Sequence, residues 1–104
     1  MNWETPENKG LIEAILALET ADEARRFLRD LMTEKEIEEF ANRLETAILL
    51  SEKVSYTNIK AKTGLSSTTI ARVSKWLNGS EGGYRAILQK LHHANSIPSG
   101  SGLS

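Results

Sequence analysis

From Lys53 to Ser80 the chain carries five cations, Lys53, Lys60, Lys62, Arg72 and Lys75, and no acid. Among them lie the short hydroxyls Ser66, Ser67, Thr68 and Thr69 and the methyl group of Ala71. Ammonium groups neutralise phosphates without regard to base sequence. Hydroxyls, a methyl and a guanidinium can meet base edges in a major groove. The chemistry on offer is recognition of a polyanion, with Lys53, Lys60, Lys62 and Lys75 on phosphates and Ser67, Thr68, Ala71 and Arg72 at the bases. Arg72 is the strongest candidate guanine reader, because its planar fork matches two acceptors on that base.

Catalytic and metal chemistry finds no comparable constellation. His92 and His93 are adjacent, so on a helix they point about 100° apart and cannot close on one ion. Glu34, Glu36, Glu38 and Glu39 crowd a helix start, where the macrodipole favours negative charge, and nothing holds them apart across a cleft. The glycines at 79, 82 and 83 follow no strand and lack the Lys-Ser/Thr of a phosphate-cradling loop. The serines have no histidine placed to activate them. With no cysteine, disulfides, thiolate metal sites and a cysteine nucleophile are excluded. No enzyme, catalytic residue or metal is expected.

A helix-turn-helix over 55–77 would position the recognition residues. Its corner falls at Gly64, where a positive φ carries no steric cost. Ile59 lies five residues before that glycine; Leu65, Ile70 and Val73 lie one, six and nine after it. That spacing lets four apolar side chains fill the angle between the helices. Ser66 caps the second helix, taken as 66–77, by accepting an orphan amide. Ser67, Thr68, Ala71, Arg72 and Lys75 then share the outward face.

The net charge of −1 hides a strong polarity. Residues 1–52 hold 13 acids and 6 cations, a balance of −7, whereas residues 53–104 hold 1 acid and 7 cations, a balance of +6. Attraction to phosphate depends on the local face, so this suits a basic reading head on an acidic scaffold. At 104 residues with 39% hydrophobic content, the chain is one small domain or one protomer of an intertwined oligomer. No apolar run reaches the roughly 18 residues of a membrane span and no signal peptide is visible. A soluble, cytoplasmic protein is expected.

Residues 1–6 are expected to be loose. Leu11, Ile12, Ile15, Leu16 and Leu18 predict an amphipathic helix from Glu7 to about Leu18. Thr20 with Glu23, and Thr33 with Glu36, read as capping boxes opening the next two helices. The second has an apolar stripe of Ala24, Phe27, Leu28 and Leu31. Its wet side, Arg25, Arg26 and Arg29, reads as a face paired with nearby acids rather than a phosphate patch. The third, about 34–51, carries Ile37, Phe40, Ala41, Leu44, Ala47 and Ile48, widened by Leu49 and Leu50, an arc broad enough to touch neighbours on more than one side. Residues 78–83, with three glycines, end the helix-turn-helix, and a last helix spans about 84–94 with Tyr84, Ile87, Leu88 and Leu91 on one face. The Ser/Gly-rich tail, 95–104, is expected to be disordered. The reading is all-α, six helices in a single domain over 1–94, joined by loops of two to six residues.

Several pieces in order carry a family resemblance. They are Arg43-Leu44-Glu45 with Ala47, Tyr56-Thr57-Asn58-Ile59, Lys62-Thr63-Gly64, and Ser67-Thr68-Thr69-Ile70-Ala71-Arg72-Val73. Trp76-Leu77-Asn78, Gly82-Gly83-Tyr84-Arg85 and Leu88 complete the set. The segment from about Leu31 to Leu91 resembles the Trp-repressor superfamily, and more closely its YerC/YecD-type branch. The resemblance implies a six-helix protomer whose N-terminal helices interlock with those of a second copy in an intertwined homodimer. It also implies double-stranded DNA as partner, with two reading heads in successive major grooves about 34 Å apart.

The resemblance places Thr69 and Arg72 at positions that line an amino-acid pocket, so Arg72 could turn inward rather than toward DNA. The long-helix arginine of that pocket corresponds to Asn42 by ungapped counting from Gly64, with Arg43 next door. Val73 stands where tryptophan-binding relatives have Gly, and Trp76 where they have a small Ser. Bulk at both places crowds an indole out, and L-tryptophan is not expected as a corepressor. The leading expectation is thus a homodimeric, sequence-specific DNA-binding transcription regulator, a repressor. The alternative is a protein-interaction module that keeps the fold and uses the 37–50 face and the 84–91 helix.

Overall fold

The computed structural model describes residues 1–96, with side chains described through residue 93. Six helices follow one another and no strand occurs among the described residues: α1 (Pro6–Leu16), α2 (Ala21–Leu31), α3 (Glu34–Ser51), α4 (Tyr56–Thr63), α5 (Ser67–Leu77) and α6 (Gly83–Ser96). None is long and apolar enough to cross a membrane. Met1–Ile37 forms one compact unit and the chain from Glu38 a second.

In the first unit, local side-chain chemistry sets the helix starts. Thr5 caps α1 by accepting from the Asn8 amide at 3.1 Å, and Pro6 takes the first helical position, where its missing N–H is no loss. The N-terminal residues are therefore tied down rather than loose: the Glu4 amide donates to Asn2 Oδ1 and the Asn8 side-chain amide to the Asn2 carbonyl. α1 stops at Leu16, two residues earlier than expected. Ala17 caps its C-terminus and the Leu18 amide closes a tighter turn on the Ile15 carbonyl, before Thr20 turns extended to cap α2. The Thr20 hydroxyl accepts from the Glu23 amide, but the Glu23 carboxylate reaches back to the amide of Glu19 instead of Thr20.

At α3 the box is reciprocal: the Glu36 amide donates to Thr33 Oγ1 and the Thr33 amide to Glu36 Oε1. Arg25 and Arg26 both pair with Asp22, and Arg29 with Glu34, so the α2 cations form the ionic face expected of them.

The second unit holds every fully buried apolar side chain among the described residues. Leu49 of α3, Ile59 of α4 and Ile70 of α5 form the core cluster, with Leu50, Val54 and Leu65 packed against it. Ala47, Thr46, Val73 and Leu77 are also buried. The Thr46 hydroxyl avoids an unmet donor by bonding the Asn42 carbonyl at 2.8 Å. Gly64 ends α4 with φ 76°, and Ser66 caps α5 by accepting from the Thr69 amide. α5 packs against both α4 and α6. α6 begins at Gly83 and runs through Ser96, so Asn95 and Ser96 are helical where a disordered tail was expected to begin. The rest of that expected tail lies outside the described residues.

Two residues carry positive φ around the helix-turn-helix with opposite consequences. Gly64 (φ 76°) has nothing near a would-be Cβ, so Gly64→Ala should lower unfolding free energy through backbone strain alone, by about 1 kcal/mol. Lys53 (φ 66°) already bears that strain, and Lys53→Gly should raise stability by a smaller amount. Urea denaturation checks both signs.

Candidate nucleic-acid interface

The face of α5 follows from which residues its core takes. Ile70, Val73 and Leu77 point inward, spaced three and four apart as one helical stripe must be. Ser67, Thr68, Ala71, Arg72 and Lys75 are all exposed. Thr69 is half-buried at the edge, its hydroxyl accepting from that of Ser66 at 3.1 Å. The hydroxyls and the methyl thus occupy the first half of the outward surface and the cations the second.

The remaining lysines lie on neighbouring elements. Lys60 and Lys62 are exposed on α4. Lys60 has no ion pair among the described residues, whereas Lys62 Nζ sits 3.9 Å from the Glu45 carboxylate of α3. Lys53, in the turn after α3, lines a recess with Ser74, Leu77 and Asn78 beside the last turn of α5. Arg72 and Lys75 make no ion pair among the described residues, so no acid there competes for them.

Arg43, Thr69 and Arg72, named together as pocket candidates, are not joined by any polar contact among the described residues. Arg72 stays exposed, while Arg43 turns toward Trp76. Its guanidinium carbon stands 5.5 Å from the centre of that indole and 5.4 Å from the Phe40 ring. Its Nη2 pairs with Glu39 at 2.6 Å. Beside this group an open apolar cleft of about 450 Å³ is lined by Leu44, Trp76, Glu81, Gly83, Tyr84 and Ile87.

Sequence reading missed this stack and also the tether from α6, where Arg85 Nη1 donates to the Leu77 carbonyl at 2.7 Å. The Phe40–Arg43 spacing, one helical turn, was the available signal for the first. The second joins residues eight apart across a glycine-rich turn and leaves no local trace.

The Trp repressor protein family profile matches residues 7–92, most of the chain. The chain belongs to the Trp repressor family. The uncharacterised YerC protein of Bacillus subtilis strain 168 is 40% identical over 81 residues, 78% of each chain. A TrpR-like protein from Eubacterium eligens ATCC 27750 superposes with a TM-score of 0.81 at 38% identity, covering 86% of this chain and 93% of its own. A candidate Trp repressor from Staphylococcus aureus gives 0.81 at 32% identity, covering 88% and 95%. The all-α Trp-repressor-like fold and the YerC-type relationship read from the sequence are both borne out.

In this family member the Tyr84 phenol, beside Arg43, is held above its usual range: burial raises it, and the guanidinium charge offsets part of that rise. A phenol favoured neutral in the fold contributes stability that is full below the ordinary phenol range and is lost as pH climbs from there through the raised value. Removing the cation should push Tyr84 higher still. Ultraviolet titration of Arg43→Met should therefore show Tyr84 ionising later than in the parent protein.

Proposed function

We propose that this chain is a homodimeric, sequence-specific DNA-binding transcription regulator, acting as a repressor, that lays α5 in the major groove. One observation carries the reading. α5 buries Ile70, Val73 and Leu77 and leaves the whole polar stripe of Ser67, Thr68, Ala71, Arg72 and Lys75 in solvent. A slender helix with short side chains in front and cations behind suits a groove about 12 Å wide. Ser66, Ser67, Thr68, Ala71 and Arg72 face bases or the adjoining backbone; Lys53, Lys60, Lys62 and Lys75 take phosphates. Lys62 exchanges its long contact with Glu45 for a phosphate on binding. Family membership, and relatives described as TrpR-like or as a candidate Trp repressor, support the same assignment.

The dimer has separate support. α1 and α2 bury none of their own residues, and Leu11, Ile12, Ile15, Leu16 and Leu31 stay exposed. Phe40, Leu44, Ile87 and Leu91 of the second unit are likewise exposed. Apolar area on this scale is seldom left to water. A second copy would cover it and pair two α5 helices across a two-fold axis. The same surface could hold a different protein, which is the rival reading; a discrete, salt-sensitive gel shift on genomic fragments favours DNA, and none at low salt favours the rival.

We also infer that L-tryptophan is not its corepressor. Val73 is fully buried in α5 and the Trp76 ring lies over Arg43; the bulk of these two side chains, at positions where the resemblance implies small residues in tryptophan-binding relatives, supports this reading. Isothermal titration should give no binding at micromolar L-tryptophan; a micromolar dissociation constant would overturn this. For the DNA surface, Lys75→Ala should weaken binding to all sequences alike and reduce the salt slope by about one, whereas changes at Thr68 should alter base preference. The reverse pattern in a binding-site selection would refute the assignment.

A further inference from the structure

α5 is held from two sides by different forces. Near its first half the grip is apolar, Ile70 on Ile59 and Leu49, and apolar contact has no preferred direction. At its last turn, beside the buried Leu77 and the Arg85 bond to its carbonyl, the Arg43 guanidinium lies over both the Phe40 and the Trp76 ring, 5.4 and 5.5 Å from their centres. Glu39 fixes the far side of the guanidinium at 2.6 Å. Phe40, Glu39 and Arg43 all belong to α3, so Trp76 is the one member contributed by α5.

The arrangement has a cost. Arg43 Nε is buried with no hydrogen-bond partner, and its side chain is only 27% exposed. Leaving such a donor unmet is unfavourable, and an aliphatic side chain of similar length would avoid it. What an aliphatic chain lacks is a plane. A planar cation held over two rings is attracted to their faces and so favours one relative orientation as well as one separation.

We propose that Arg43 is a positioning residue that trims the roll of α5, whose inward face the core has already chosen, through its contacts with Phe40 and Trp76. Trp76 lies one residue past Lys75 and one turn past Arg72. A small rotation about the helix axis at Trp76 therefore moves both cations and, through them, the register of Thr68 and Ala71. This inference rests on the DNA-reading function proposed above, and its test separates the two.

The test uses the full chain in a Trp3→Phe background, where Trp76 is the sole tryptophan, with Arg43→Met and Arg43→Lys compared by circular dichroism for retained fold. Trp76 emission should shift in Arg43→Met. Amide exchange over 67–77 should quicken while that over 56–63 holds. Discrimination between a selected duplex and its scrambled version should fall about tenfold with the salt slope unchanged, since the phosphate contacts remain. Arg43→Lys keeps the charge without the plane and should fall between parent and Met variant; it also serves if the Met variant does not fold. Unchanged emission and exchange, or a loss shared equally by all sequences, would overturn the proposal. If the parent binds no duplex, the functional reading fails while emission and exchange still decide whether Arg43 orients α5.

Discussion

Ile70 seated on Ile59 and Leu49, beneath the corner at Gly64, fixes which way α5 faces. An α-helix has one apolar stripe to bury, and once Ile70, Val73 and Leu77 are spoken for, the opposite stripe has nowhere to go but solvent. That stripe carries the short hydroxyls, Arg72 and Lys75. Core packing and surface chemistry are therefore one constraint seen from two sides. A substitution that loosened Ile59 or Ile70 would disturb the outward stripe without touching any of its residues.

The same constraint sorts the rest of the chain. The second unit spends its apolar residues on seating α5, with Leu49 beneath it and Arg85 bonding the last turn through the Leu77 carbonyl. The first unit invests in caps and ion pairs and buries no residue of α1 or α2. Its exposed Leu and Ile side chains are the surface that the proposed second copy would cover. The acidic balance of residues 1–52 sets this half apart electrostatically from the basic second half.

Local devices were legible in the sequence. Gly64, the Ser66 cap and the Thr33–Glu36 box act within a few residues, and each stands where its residue type predicted. The alternation of buried and exposed positions along α5 was equally readable, because helical periodicity is a local property. Less legible were features made across elements. The broad arc of α3 divides, with Thr46, Ala47 and Leu49 buried and Phe40 and Leu44 exposed, and no periodicity says which side wins. Arg43 was named as a candidate ligand group; its contact with Trp76 depends on where α5 docks. Helix ends shifted by one or two residues, as at the C-termini of α1 and α6.

The central claim is that two outward α5 helices read DNA as a pair. Selection of bound duplexes from a random pool by the full chain, followed by footprinting of the winning sequence, tests it most directly. The account predicts a two-fold symmetric motif whose half-sites lie about one helical turn, 34 Å, apart, protected in successive major grooves. A pool that never departs from random, or protection without symmetry, would contradict it.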